Sequence, residues 1–124
     1  MLALDLLRQQ ELIAFPTDTV YGVGALLESA QAIEKLFIVK GRDSMKAIPV
    51  LLGDLSQTSR VASMMTSMAE QYAERFWPGP LTLVVARRTD LPENLSPYPT
   101  IGIRMPNHPV ALDLLRQSGP LAVT

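Results

Sequence analysis

Strand-like apolar runs alternate with helix-like stretches along the whole of this chain, and prolines and glycines stand at most of the joints. A chain so arranged folds as α/β, because each helix must cross back over a sheet to bury its apolar stripe. Asp5 to Gln10 reads as the tail of a short helix, and "LIAFP" as a strand stopped by Pro16. "SAQAIEKLFIVKGR" reads as a helix with Ser29 as N-cap, an apolar face of Ile33, Leu36 and Phe37, and Gly41 closing its end. "AIPVLL" is a buried strand whose Pro49 suits a start, an edge or a bulge.

The second half continues the pattern. A helix is expected over roughly Thr66 to Phe76, with Met68, Tyr72 and Phe76 on one stripe, and "WPGP" breaks it. "LTLVVA" is β-rich, "TDLPENLSPYP" is a loop without regular structure, and "TIGIRM" alternates like a half-buried strand. "NHPVALDLLRQSG" places Pro109 at a helix start and Gly119 past its end, and "PLAVT" begins another strand. The proline-punctuated middle pair makes a mixed sheet the expected form. We expect a single domain over 1–124, with no internal repeat and no interdomain linker.

Composition limits the chemistry. Without cysteine there is no disulfide, thiolate metal site or cysteine nucleophile, and one histidine leaves little for a metal cluster or a serine–histidine relay. A net charge of −1 advertises no general grip on nucleic acid. No apolar run approaches the roughly 18 residues of a membrane helix. The opening "MLALDLL" lacks the basic start of a signal peptide. The reading is of a cytoplasmic protein whose chemistry uses lysine, arginine, hydroxyls and backbone.

Single motifs have plain explanations. The G-x-G of "YGVGALLES" lacks the third glycine of a dinucleotide fingerprint, and glycines easing a turn are the better account. Lys40 and Arg42 at a helix end complement the helix dipole. With Lys46 they also put three cations within seven positions, enough to hold a polyphosphate; on spacing alone the dipole explanation is favoured. Arg104 ends its strand on the face opposite Ile101 and Ile103, where it is equally a salt-bridged surface group or a ligand contact. His108 and Trp77 read as structural, the methionines of "ASMMTSMAE" as a packing face, and Thr82 as a residue that could face a ligand.

In combination the motifs are more specific. "FPTDTVYGVGA", "KGRDSMKAIPVLL", "FWPGPLTLVV", "IGIRMPNHPVALDLL" and "GPLAVT" follow one another in an order and spacing that resembles the YrdC-like family of threonylcarbamoyl-adenylate synthases, over nearly the whole chain. The resemblance implies a twisted mixed sheet flanked by helices around a large, positively lined concave cavity. It implies a reaction of L-threonine, bicarbonate and ATP with Mg2+ to give threonylcarbamoyl-AMP and pyrophosphate. The product would serve threonylcarbamoyladenosine formation in tRNA, passing to a downstream tRNA threonylcarbamoyl transferase, with tRNA or double-stranded RNA as a further partner.

By the same resemblance Thr17, Thr19 and Tyr21 line the amino-acid pocket and Arg104 contacts a carboxylate or a phosphate. Lys40 and Arg42 act on the ATP phosphates, with Lys46 and Thr124 completing the nucleotide site. No residue is assigned to a metal. The sequence departs from the family at Asp43 and Ala47, where prolines are common, and at Leu51, where many members carry histidine. The family also continues past "PLAVT" into a serine-x-asparagine motif, so missing C-terminal elements and a truncated sheet edge are expected. The carbamoyl-adenylating domain of hydrogenase-maturation carbamoyltransferases shares this chemistry, but the threonine-like pocket and the lack of zinc-finger motifs point away from it. The alternative from another class is a non-catalytic RNA- or nucleotide-binding module on the same fold.

Overall fold

Local signals set the helices of this protein. The computed structural model describes residues 2–41 and 47–124. It begins with α1 (Leu2–Arg8) and a hairpin of β1 (Ile13–Pro16) and β2 (Tyr21–Leu26). α2 (Ala30–Lys40) follows, and the Ser29 side chain accepts from the Ala32 amide at its start. Gly41 ends the helix in the left-handed region at φ 61°, a conformation that glycine adopts without steric cost. β3 (Val50–Leu51) starts directly after Pro49, β4 (Ala62–Met64) follows a 3₁₀ turn, and α3 (Ser67–Phe76) is capped by Thr66. β5 (Leu83–Arg87), β6 (Thr100–Arg104), α4 (Pro109–Ser118) and β7 (Leu121–Val123) complete the order. The His108 ring caps α4 by accepting from the Val110 amide at 3.2 Å, the structural role read for it in the sequence.

The sheet is mixed, in the order β1-β2-β7-β3-β6-β5-β4, with β3 and β6 parallel and the other neighbours antiparallel. Strand alternation divides the apolar residues between its two faces. Val50, Ile101, Ile103 and Ala122 join Ile33 and Leu36 of α2 and Ala73 of α3 in one core. Phe15, Leu51, Leu121 and Val123 join Leu7 of α1 and Leu114 and Leu115 of α4 in the other. Among the described residues no helix is long and apolar enough to cross a membrane.

Several expectations need correction. Gly22 and Gly24 do not ease a turn; both lie within β2, where a β-carbon would collide with Val123 at Gly22 and be crowded by Phe15 at Gly24. A β-carbon on Gly24 would stand 3.0 Å from the Phe15 ring. The stripe of Met68, Tyr72 and Phe76 is exposed, and α3 with its flanking residues instead turns the adjacent row of Met65, Ala69, Ala73 and Trp77 to the core, with Ala73 and Trp77 buried and the other two half-buried. Trp77 is the largest buried side chain of that row. "TDLPENLSPYP" contains a 3₁₀ turn at Glu93–Leu95. β7 lies between β2 and β3, and the sheet edges are β1 and β4.

Candidate functional site

The polar cluster after "FP" is the tip of the β1–β2 hairpin, and the Thr17 hydroxyl organises it. The Thr17 oxygen accepts from the amides of Thr19 and Val20, each at 3.3 Å, and donates to the Val20 carbonyl. The Thr17 amide also bonds that carbonyl at 3.2 Å. With its donor and both lone pairs engaged, this hydroxyl builds the turn. The Thr19 hydroxyl sits 3.2 Å from it and is the one turned toward the next strands.

Arg104 meets this tip from the end of β6. Its Nη1 donates to Asp18 Oδ1 at 2.7 Å and to the Gly79 carbonyl at 3.0 Å, and Nη2 makes a long contact with Thr19 Oγ1 at 3.5 Å. The second Asp18 oxygen accepts from the Asn107 amide at 3.0 Å. The ion pair is largely enclosed, with side-chain exposure of 11% for Arg104 and 14% for Asp18. Burial alone would raise the Asp18 carboxyl. The hydrogen bonds from Arg104 and Asn107 and the arginine's charge outweigh it and hold the pKa below the ordinary carboxylate value.

Gly79 belongs to the "WPGP" turn. The Trp77 indole N–H donates to the Leu81 carbonyl at 2.8 Å, and the Gly79 amide bonds Met105 at 2.8 Å. Trp77 therefore braces the turn that supplies the second anchor of Arg104.

Thr17, Thr19, Tyr21, Arg104 and Thr124 line one cleft of about 280 Å³. Thr82 lines it too, opposite the hairpin, while Leu51, Val123 and Pro49 give it an apolar wall. Five of the sequence-predicted residues are thus brought together. Lys40 is not among the lining residues and lies exposed in the last turn of α2. Arg42 and Lys46 lie outside the described residues. Among the described residues Arg104 is the one charged side chain of the cleft wall. A larger groove of about 560 Å³ lies among α1, β1 and α4, but its wall is apolar apart from Asp113 and holds none of the predicted residues.

The Sua5_yciO_yrdC family model, described under telomere recombination, matches residues 5–124. The chain belongs to the Sua5/YciO/YrdC family. It is 42% identical over 123 residues to the threonylcarbamoyl-AMP synthase of Bacillus subtilis, covering 97% of this chain and 36% of that protein. Pyrococcus abyssi Sua5, solved in complex with L-threonine, superposes with a TM-score of 0.95 at 36% identity, over 99% of this chain and 37% of that one. E. coli YciO superposes with a TM-score of 0.87 at 26% identity, over 99% and 61%. The chain thus spans about a third of the length of the first two. The α/β fold with a curled mixed sheet, expected from the linked motifs, is the Sua5/YciO/YrdC fold.

Asp18 is the residue of this site that sequence reasoning missed. It stands between two threonines that were singled out, yet its partner is 86 residues away, and no spacing signal links them.

Proposed function

We propose that this chain carries the amino-acid-binding part of a threonylcarbamoyl-AMP synthase, and that the cleft under the β1–β2 hairpin holds L-threonine. The observation that carries the reading is the convergence of Thr19, Tyr21 and Arg104 on one small cleft with an apolar wall. It is supported by the likeness to a Sua5 solved with L-threonine and to a protein named threonylcarbamoyl-AMP synthase. Arg104 takes the carboxylate, the Thr19 hydroxyl takes a second polar group, and Leu51 and Val123 face the methyl. Thr17 holds the turn, and Tyr21 closes the mouth.

In the proposed reaction the threonine amine and bicarbonate condense to a carbamate with loss of water. A carbamate oxygen then attacks the α-phosphorus of ATP and displaces pyrophosphate, leaving threonylcarbamoyl-AMP. No covalent bond to the protein is needed. The protein's part is alignment, exclusion of water from the carbamate and the mixed anhydride, and neutralisation of charge on the phosphates. Lys40, Arg42 and Lys46 are assigned to that neutralisation, and Thr124 to the nucleotide. Magnesium enters the proposal with the nucleotide, as the MgATP substrate.

The test is pyrophosphate release by the purified chain given L-threonine, bicarbonate and MgATP. Release should require threonine and should be lost in Arg42→Ala with folding intact. Saturable RNA binding with a steep salt dependence, and no pyrophosphate, would replace this reading with a binding module.

A further inference from the structure

Arg104 lines the cleft, whereas Asp18 is not among the lining residues; its carboxylate takes one hydrogen of the guanidinium Nη1. Both hydrogens of Arg104 Nη1 are engaged, one by Asp18 and one by the Gly79 carbonyl. Both oxygens of Asp18 are engaged as well, by Nη1 and by the Asn107 amide. One edge of the arginine is thereby fixed, and the Nη2 edge beside Thr19 is left to meet a ligand. An enclosed carboxylate at 2.7 Å also cancels most of the field that the arginine would cast into the cleft.

The consequence depends on the charge of the ligand. A bare arginine attracts every anion, and more strongly the higher the anion's charge. For a pair of net charge near zero the Coulomb gain largely vanishes, and geometry remains. The carboxylate of a zwitterionic amino acid still finds a directed donor edge and a hydroxyl. A phosphate dianion is drawn by the guanidinium and repelled by Asp18.

We propose that Asp18 is a positioning residue that converts Arg104 from a general anion site into a carboxylate site. It holds the guanidinium by one edge and cancels its charge, so that the cleft takes the amino acid and turns phosphate away. This rests on the threonine-binding reading above and goes beyond it. It assigns Arg104 to the carboxylate alone and leaves the phosphates of the nucleotide to other residues.

The experiment is calorimetric titration of the full chain with L-threonine and, separately, with inorganic phosphate at matched ionic strength. Wild-type protein should bind threonine with an affinity that phosphate leaves unchanged. Asp18→Asn keeps an acceptor for Arg104 but removes the charge. Phosphate should then bind, and should raise the apparent Kd for threonine by about tenfold or more. Asp18→Ala loses the hold as well and should weaken threonine about tenfold even without phosphate. A purely structural salt bridge would alter melting temperature without altering the ratio of threonine to phosphate affinity. Displacement of threonine by phosphate from the wild type, or an Asn variant as indifferent to phosphate as the wild type, overturns the proposal. Should the Asn variant fail to fold by circular dichroism, the wild-type phosphate titration decides. A wild type that binds no threonine sinks the functional reading, and phosphate binding gained by Asp18→Asn over the wild type, and lost again in Asp18→Asn with Arg104→Ala, still tests the role of Asp18.

Discussion

Gly22 and Val123 meet between β2 and β7 with no room for a β-carbon: one placed on residue 22 stands 2.5 Å from Val123 Cγ1. Both residues line the cleft, so this contact forms part of its floor. Valine is stiff about χ1, and relief must come from turning the side chain into the cleft or parting the strands. Gly22→Ala is expected to destabilise the fold by about 1–3 kcal/mol. It should also weaken threonine binding out of proportion to that loss. Urea denaturation and calorimetric titration measure the two effects. Unchanged threonine affinity would mean that Val123 does not floor the amino-acid site.

The Asp18–Arg104 pair makes stability depend on acid. The Asp18 carboxyl has a lower pKa folded than unfolded, so the unfolded chain takes up the proton first as pH falls. The contribution is complete above the ordinary carboxylate pKa of about 4 and is lost as pH drops through the lower folded value. Urea midpoints measured from about pH 6 to about pH 2.5 should show Asp18→Asn less stable at the upper end, with the gap closing toward the lower end. A gap that stays constant over that range would assign the loss to geometry rather than charge.

What could be read from the sequence was local. Ser29, Gly41, Pro109 and Gly119 mark helix ends through bonds that span only a few residues, and all four stand at their expected helix ends. The alternation in "TIGIRM" put Arg104 on the face opposite two buried isoleucines, and the structure agrees. Sheet order was not legible, because the insertion of β7 between β2 and β3 is a contact between distant segments. The α3 stripe was misassigned by one position. Periodicity offered two apolar rows about 100° apart, and the row with alanines is the one turned to the core. The motifs singled out the threonines and Arg104, and the structure sets them around one cleft. That Arg104 is both salt-bridged and part of the cleft wall was not legible, because the two explanations were weighed as alternatives.

Trp77 connects core packing to the site. It is 8% exposed, and its indole bond to Leu81 closes the turn from which the Gly79 carbonyl reaches Arg104. Trp77→Phe leaves that Leu81 carbonyl without its donor and opens a small void. It should cost about 1–3 kcal/mol. Threonine affinity should fall several-fold as Arg104 loses its second anchor. The chain has one tryptophan, so the variant is followed by far-ultraviolet circular dichroism and the binding by calorimetry. Full affinity in a destabilised variant would show that Asp18 alone is enough to hold the arginine.

Leu51 is the cross-strand neighbour of Arg104 in the parallel β3–β6 pair, 4% exposed, and packed with Val123 in the core under α4. Its side chain gives the cleft an apolar wall. Leu51→His would place an imidazole in an aliphatic core, where burial opposes its protonation. The folded protein would then bind the proton less readily than the unfolded chain, so stability should decline as pH falls below about 6.5. Urea midpoints for the variant at about pH 8 and about pH 5.5 should therefore differ more than those of the wild type. If the two differences match, the ring reaches water through the cleft, and residue 51 is open to the ligand as well as to the core.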